Sequence, residues 1–200
     1  MKKILFLFTI AGMLGVSPRA SAQTSLVSPP ADKLKLETPS AESHGSPAST
    51  ATAAAKASTV DFENVTVTDA TNMSSKPKVT AKSSLPAARL KVKDLVVGTG
   101  QAASPTSTVV VQYLGVRYAD GKQFDSSWDR GGPTDFPLNR VVKGFTQGIG
   151  GNDTVAPMKV GGRRLMILPA ELGYGERGTP DGSIPPNATL VFIVDLISVN

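Results

Sequence analysis

The sequence predicts an α+β domain in its C-terminal half, an antiparallel twisted β-sheet wrapped around one short α-helix, preceded by a disordered tether. Three observations carry this. Eight of the eleven aromatic residues fall between Tyr113 and Phe192, so core-building material is concentrated there. Short β-branched runs separated by turn residues recur from Leu90 to the end. Helical spacing occurs once, at Val141, Val142, Phe145 and Ile149.

The first 22 residues read as a cleaved secretory leader: Lys2 and Lys3, an apolar stretch from Ile4 to Val16, and a small-residue cleavage site at Ala20-Ser-Ala22. The apolar run is too short, and too broken by Gly12 and Gly15, to span about 30 Å of hydrocarbon. Loss of Lys2, Lys3 and Arg19 with the leader leaves 18 basic against 16 acidic residues, a formal +2 in place of +5. That balance predicts neither a nucleic-acid partner nor stable membrane insertion. There is no cysteine, which excludes disulfides, thiol catalysis and Cys-ligated zinc.

Residues 23–87 are expected to be a low-complexity tether rich in Ala, Ser, Thr, Pro and Lys, unable to bury enough surface to offset its ordering entropy. The only histidine, His44, lies within it and reads as solvated. A possible short strand at 60–67 alternates through Val60, Phe62, Val65 and Val67, and 76–86 returns to linker composition.

The domain proper is assigned to 88–200. Strands are predicted at Leu90–Val97 and Thr108–Tyr118, the second rich in β-branched and aromatic residues. Asp120-Gly121 is a hairpin signal that returns the chain into 122–125. Further strands are predicted at Arg163–Leu168 and Thr189–Val199, the last alternating through Leu190, Phe192, Val194 and Leu196. The helix is weakened by Gly144 and Gly148. By composition alone the aliphatic and aromatic positions read as ordinary core.

Several chemistries are excluded. With no histidine in the domain there is no Ser-His-Asp triad and no His-based zinc site. Gly98-Thr-Gly100-Gln-Ala-Ala103 matches a loose dinucleotide fingerprint, but Pro105 and the β-branched run at 108–111 deny it the helix it needs. Arg163-Arg164 reads as a solvated strand end rather than a phosphate site. Asp120, Asp125, Asp129 and Asp135 lack the spacing of a calcium loop. No metal or cofactor is expected.

Six blocks then stand in order: Val111-Gln-Tyr-Leu-Gly115, Asp120-Gly-Lys-Gln-Phe-Asp-Ser-Ser-Trp-Asp-Arg130, Val141-Val-Lys-Gly-Phe145, Met158-Lys-Val-Gly-Gly-Arg163, Leu172-Gly-Tyr-Gly175 and Ile184-Pro-Pro-Asn-Ala-Thr-Leu-Val-Phe192. In these the chain resembles the FKBP family of peptidyl-prolyl cis/trans isomerases, the tacrolimus-binding immunophilins. Residues 1–87 carry no part of that resemblance.

The resemblance implies a single FKBP-like domain that accelerates rotation about X-Pro bonds. The barrier is about 20 kcal/mol, no covalent bond breaks and no proton moves, so a shaped apolar pocket suffices. It implies that Tyr113, Asp125, Tyr174 and Phe192 act on the reacting amide, and that Phe124, Phe136, Val141, Val142, Phe145 and Ile184 complete the proline site. Phe145 would form the floor, Val142 would offer its backbone N–H, Tyr174 would donate its hydroxyl, and Asp125 would orient rather than transfer a proton, paired with Arg130. Trp128 is expected to be half exposed.

Against the family pattern, Phe145 stands where tryptophan is common, the aromatic near Thr134 is missing with Phe136 the nearest, and 176–183 lacks a histidine. Residues 150–157 look like an insertion. The implied partners are proline-containing unfolded or exported polypeptides, and macrolides such as tacrolimus or rapamycin, bound by a monomer. A non-enzymatic alternative is a binding module or holdase chaperone using the same pocket. A third is a surface interaction factor built on the tether.

Overall fold

The computed structural model describes residues 58–83 and 85–200, which belong to one compact unit. The leader expected at 1–22, most of the expected tether and His44 lie outside the described residues.

The chain enters through a three-stranded antiparallel meander: β1 (Thr59–Phe62), β2 (Val65–Thr68) and β3 (Lys78–Ala81). Its first turn places Glu63 and Asn64 at φ of 51° and 62°, the left-handed pair that a tight hairpin requires. Asn64 suits that geometry; Glu63 is held there because its carbonyl accepts the Tyr118 hydroxyl at 2.6 Å and its carboxylate meets Lys91 at 2.7 Å.

The main sheet contains β4 (Lys91–Val96), β5 (Thr108–Arg117), β6 (Gln123–Ser126), β7 (Thr134–Pro137), β8 (Arg163–Leu168) and β9 (Leu190–Val199). Its antiparallel order is β4-β8-β9-β5-β6, and β7 pairs with the first half of β5. The predicted hairpin forms at Asp120-Gly121, with Gly121 at φ 68° and Arg117 N–H bonded to the Lys122 carbonyl at 2.9 Å.

Alternation divides β5 and β9 between two cores. Val109, Val111 and Tyr113, with Phe192, Val194 and Leu196, face the inner core. Leu114, Val116 and Tyr118, with Val191 and Ile193, face the outer core, where Val65, Val67, Ala70 and Ala81 cover them. The strand expected within 60–67 is therefore a hairpin, and the segment read as returning to linker at 76–86 supplies β3. Short strands of Lys, Thr and Ala resemble linker in composition, and their reason to order lies in the apolar face they cover.

The helix, α1 (Lys143–Gly150), begins later than its sequence spacing suggests. Val142 is its N-cap, extended at ψ 142°, so Val141 and Val142 precede the helix rather than form its face. Gly144 and Gly148 do not merely weaken it: a Cβ would lie 2.2 Å from the Leu168 side chain and 2.3 Å from the Met166 sulfur, so their absence lets α1 settle on β8. Gly98 serves backbone approach in the same way, since a Cβ would lie 2.1 Å from the Lys159 carbonyl.

Arg163 and Arg164 overturn the expectation of a solvated strand end. Arg163 is fully buried on the outer face, bonded through Nε and Nη2 to Asp195 at 2.5 and 2.6 Å, and it donates to the carbonyls of Asp69, Asn72 and Ser75 at 3.1, 2.9 and 3.3 Å. Arg164 faces inward, grips Asp94 at 2.6 and 2.9 Å, and donates to the carbonyls of Gly148 and Ala156, both at 2.8 Å. It thereby satisfies a C-terminal carbonyl of α1 and ties down the 150–157 segment, which Asn152 also folds through its own side chain onto Thr154 N and Val155 N.

Candidate functional site

The inner core gathers the expected site residues from separate elements. Tyr113 comes from β5, Phe124 and Asp125 from β6, Phe136 from β7, Phe145 from α1 and Phe192 from β9. Val141 and Val142 precede α1, Tyr174 follows the one-turn 3-10 helix Ala170–Leu172, and Ile184 closes a loop pinned by its N–H on Thr179 Oγ1 at 3.0 Å. All but Asp125 share one apolar cluster, with Val141, Val142 and Tyr174 at its partly exposed margin. Asp125 adjoins it through Tyr113.

Phe145 sits at the centre. Its ring meets Phe192 edge-on at 4.7 Å, Phe136 at 5.8 Å and Tyr113 edge-on at 6.1 Å, while Phe124 meets Phe192 at 5.4 Å. These spacings are those of attractive edge-to-face packing. Gly115 makes room for them, because a Cβ there would stand 2.7 Å from the Phe124 ring and 2.9 Å from Phe192.

One wall is polar and closed on itself. The Tyr113 hydroxyl donates to Asp125 Oδ2 at 2.5 Å and accepts from Arg130 Nη2 at 2.5 Å. Arg130 Nη1 donates to Asp125 Oδ1, which also receives the Ser126 N–H at 2.8 Å, and the guanidinium lies 5.2 Å from the Tyr113 ring centre. The one-turn 3-10 helix Trp128–Arg130, closed by Gly131 at φ 95°, aims that guanidinium back at the wall. Trp128 is half-buried. Burial, then the Asp125 hydrogen bond and charge, push the Tyr113 phenol far above its ordinary range. Burial, then the negative charges of Asp125 and Asp181, push Tyr174 up to about 12.

Two donors remain uncommitted. The Tyr174 hydroxyl and the Val142 N–H make no hydrogen bond to another described residue, while the Val142 carbonyl accepts from Phe145 N at 2.9 Å. The arrangement thus offers an apolar aromatic bed, a neutralised polar wall and two free N–H or O–H groups. No group of three or more His, Cys, Asp or Glu side chains that could hold a metal occurs among the described residues.

Sequence reasoning missed Gly115 as a site residue and did not place Arg130 among the site residues, although it paired it with Asp125. The Gly115 signal was present, a glycine inside a β-branched strand, which marks a close approach.

The comparisons with known proteins identify the family. The family model described as FKBP-type peptidyl-prolyl cis-trans isomerase matches residues 99–197. The FK506-binding protein of Streptomyces anulatus is 44% identical over 126 residues, covering 62% of this chain and 97% of that protein. FkpA of Escherichia coli is 44% identical over 102 residues, 51% of this chain but only 34% of that longer protein. Among solved structures, AtFKBP13 superposes with TM-score 0.53 at 38% identity over 58% of this chain and 98% of its own. The crystal structure of Escherichia coli FkpA gives 0.50 at 40% identity over 60% and 51%. With nearly the whole length of a 44%-identical FK506-binding protein matched, and the family model matching 99–197, the chain belongs to the FKBP family of peptidyl-prolyl cis-trans isomerases.

Proposed function

We propose that this isomerase seats the proline ring of an X-Pro segment over Phe145, within Phe124, Phe136, Ile184 and Phe192, between the Tyr113–Asp125–Arg130 wall and the free donors of Val142 and Tyr174. The observation that carries the reading is the pairing of a buried aromatic cluster with two donors at its margin that bond to no other described residue. In the twisted transition state amide resonance is lost, and the amide is less polar than in its planar ground state. A low-dielectric site therefore favours it, and reaching millisecond turnover asks for roughly 5 kcal/mol of differential binding. The Val142 N–H holds the substrate backbone, and the Tyr174 hydroxyl meets a substrate carbonyl as it rotates. Asp125, committed to Tyr113, Arg130 and Ser126 N–H, orients this wall and transfers no proton. The leader read in residues 1–22 supports exported polypeptides as clients, and the same apolar bed supports binding of macrolides such as tacrolimus or rapamycin.

The test is isomerisation of short X-Pro peptides by the full chain and two variants. Phe145→Ala removes the bed and lowers kcat/KM by more than tenfold in protein that remains folded. Val142→Pro deletes the N–H at a residue whose φ of −58° proline adopts freely, and Val142→Ala serves as the control for the side chain lost with it. The proline variant keeps the fold and loses about two- to tenfold, the worth of one hydrogen bond. Folded variants that both retain wild-type efficiency sink the assignment.

A further inference from the structure

The polar wall is connected to the meander on the other face of the sheet. Arg163, buried and paired with Asp195, holds the 69–75 loop through three carbonyls. Lys76 follows directly and is succeeded by the buried Pro77 and by β3, so both flanks of Lys76 are fixed. Its Nζ donates to Asp129 Oδ1 at 2.8 Å and Oδ2 at 2.7 Å, and Gln123 Nε2 donates to Oδ2 at 2.7 Å. Lys76 first, and Gln123 second, hold the Asp129 carboxyl below the usual carboxylate range. Asp129 is the middle residue of the turn whose last residue is Arg130.

We propose that Lys76 is a positioning residue for the isomerase site: through Asp129 it fixes the Trp128–Arg130 turn, and so the aim of Arg130 at Asp125 and Tyr113. This rests on the site reading above. Arg130 needs such help, because its side chain is 41% exposed and its direction is set by the turn rather than by enclosing walls. The turn's own backbone bonds, Arg130 and Gly132 N–H to the Ser127 carbonyl at 3.1 and 3.2 Å and Gly131 N–H to the Trp128 carbonyl at 3.3 Å, are all longer than 3 Å. The Lys76–Asp129 pair is itself partly exposed, at 33% and 52%, so its effect is modest and sensitive to salt.

The experiment uses the full chain with Lys76→Met, Lys76→Arg and Asp129→Asn, each in the wild-type and Arg130→Met backgrounds. It reads kcat/KM on an X-Pro peptide and acrylamide quenching of Trp128, the sole tryptophan. Lys76→Met and Asp129→Asn each lower efficiency two- to fivefold and raise Trp128 quenching, Lys76→Arg restores both, and neither loss persists when Arg130 is already methionine. An equal loss in both backgrounds shows a general stability effect and overturns the proposal, as does wild-type efficiency and quenching in Lys76→Met. Arg130→Met with wild-type efficiency removes instead the site reading on which the proposal stands.

Discussion

Replacing Arg163 by methionine keeps most of the side-chain volume and removes the charge, which isolates what the guanidinium does. In the folded protein Arg163 is fully buried and Asp195 is 3% exposed, so the variant leaves a carboxylate with no counter-ion and no water. Breaking such a pair from one side costs about 3–5 kcal/mol. The carbonyls of Asp69, Asn72 and Ser75 lose their donor, but they belong to half-buried or exposed residues and recover hydrogen bonds from solvent, which adds little. At about 2–4 °C per kcal/mol for a unit of this size, Tm falls by roughly 6–20 °C. The loss also depends on pH. Burial raises the Asp195 carboxyl while Arg163 opposes that rise, so without Arg163 the folded-state pKa climbs further above its unfolded value near 3.9. The folded variant then holds a proton that the unfolded chain has released, and its stability falls as pH rises from about 4 towards neutrality. Adding Asp195→Leu removes the orphaned charge and returns stability to within about 2 kcal/mol of wild type. The 69–75 amides still exchange faster, because their anchor is gone. Urea unfolding and hydrogen-exchange mass spectrometry read these quantities. An Arg163→Met protein that loses under 1 kcal/mol, or a double variant no more stable than the single, refutes the reasoning.

Two further predictions concern the wall. Asp125→Asn keeps one acceptor oxygen, for Arg130 and Ser126 N–H, and turns its NH2 towards the Tyr113 hydroxyl, so kcat/KM falls only a few-fold, whereas Asp125→Leu strands both donors and costs at least tenfold in the peptide assay; equal, near-complete loss in both would instead demand proton transfer. With Tyr113 far above its ordinary range and Tyr174 at about 12, both hydroxyls stay protonated and efficiency is flat from about pH 6 to 9. Above pH 10, where unfolded tyrosines ionise, stability declines through the window up to about 12, as pH-resolved denaturant melts will show.

What the sequence shows and hides follows from distance along the chain. Alternation in β9 is local, so Phe192 is legible as sharing a face with Leu190, Val194 and Leu196, and the ordered blocks gather Tyr113, Phe124, Phe145 and Tyr174, while Phe136 lies outside them. The helix was found but its start was misplaced, because Val141 and Val142 share the apolar character of a helix face while standing in extended backbone ahead of it. Arg163 and Arg164 were misread because their acidic partners, Asp195 and Asp94, lie 32 and 70 residues away. The meander is legible only in part for the same reason: alternation at 60–67 marks a strand where β1 and β2 form, but β3 reads as linker, because the surface that orders it is written in β5, β8 and β9.

Period-two geometry makes the two faces of this sheet mechanically inseparable. On β8 the adjacent arginines point to opposite sides: Arg163 anchors the meander's loop, and Arg164 holds the end of the helix that carries Phe145. On β5, Tyr113 enters the site while its neighbour Leu114 packs under the meander, and on β9 Phe192 and Val191 divide in the same way. A shift of β5 or β9 that accommodates a change in the outer core therefore moves the inner rings as well, since the strand backbone is shared. On the proposed mechanism no proton is transferred and ring spacing and donor aim set the rate, so such shifts would alter it directly. On that mechanism the outer layer belongs to the catalytic unit in the physical sense, although among the described residues its apolar side chains form a cluster separate from the aromatic one.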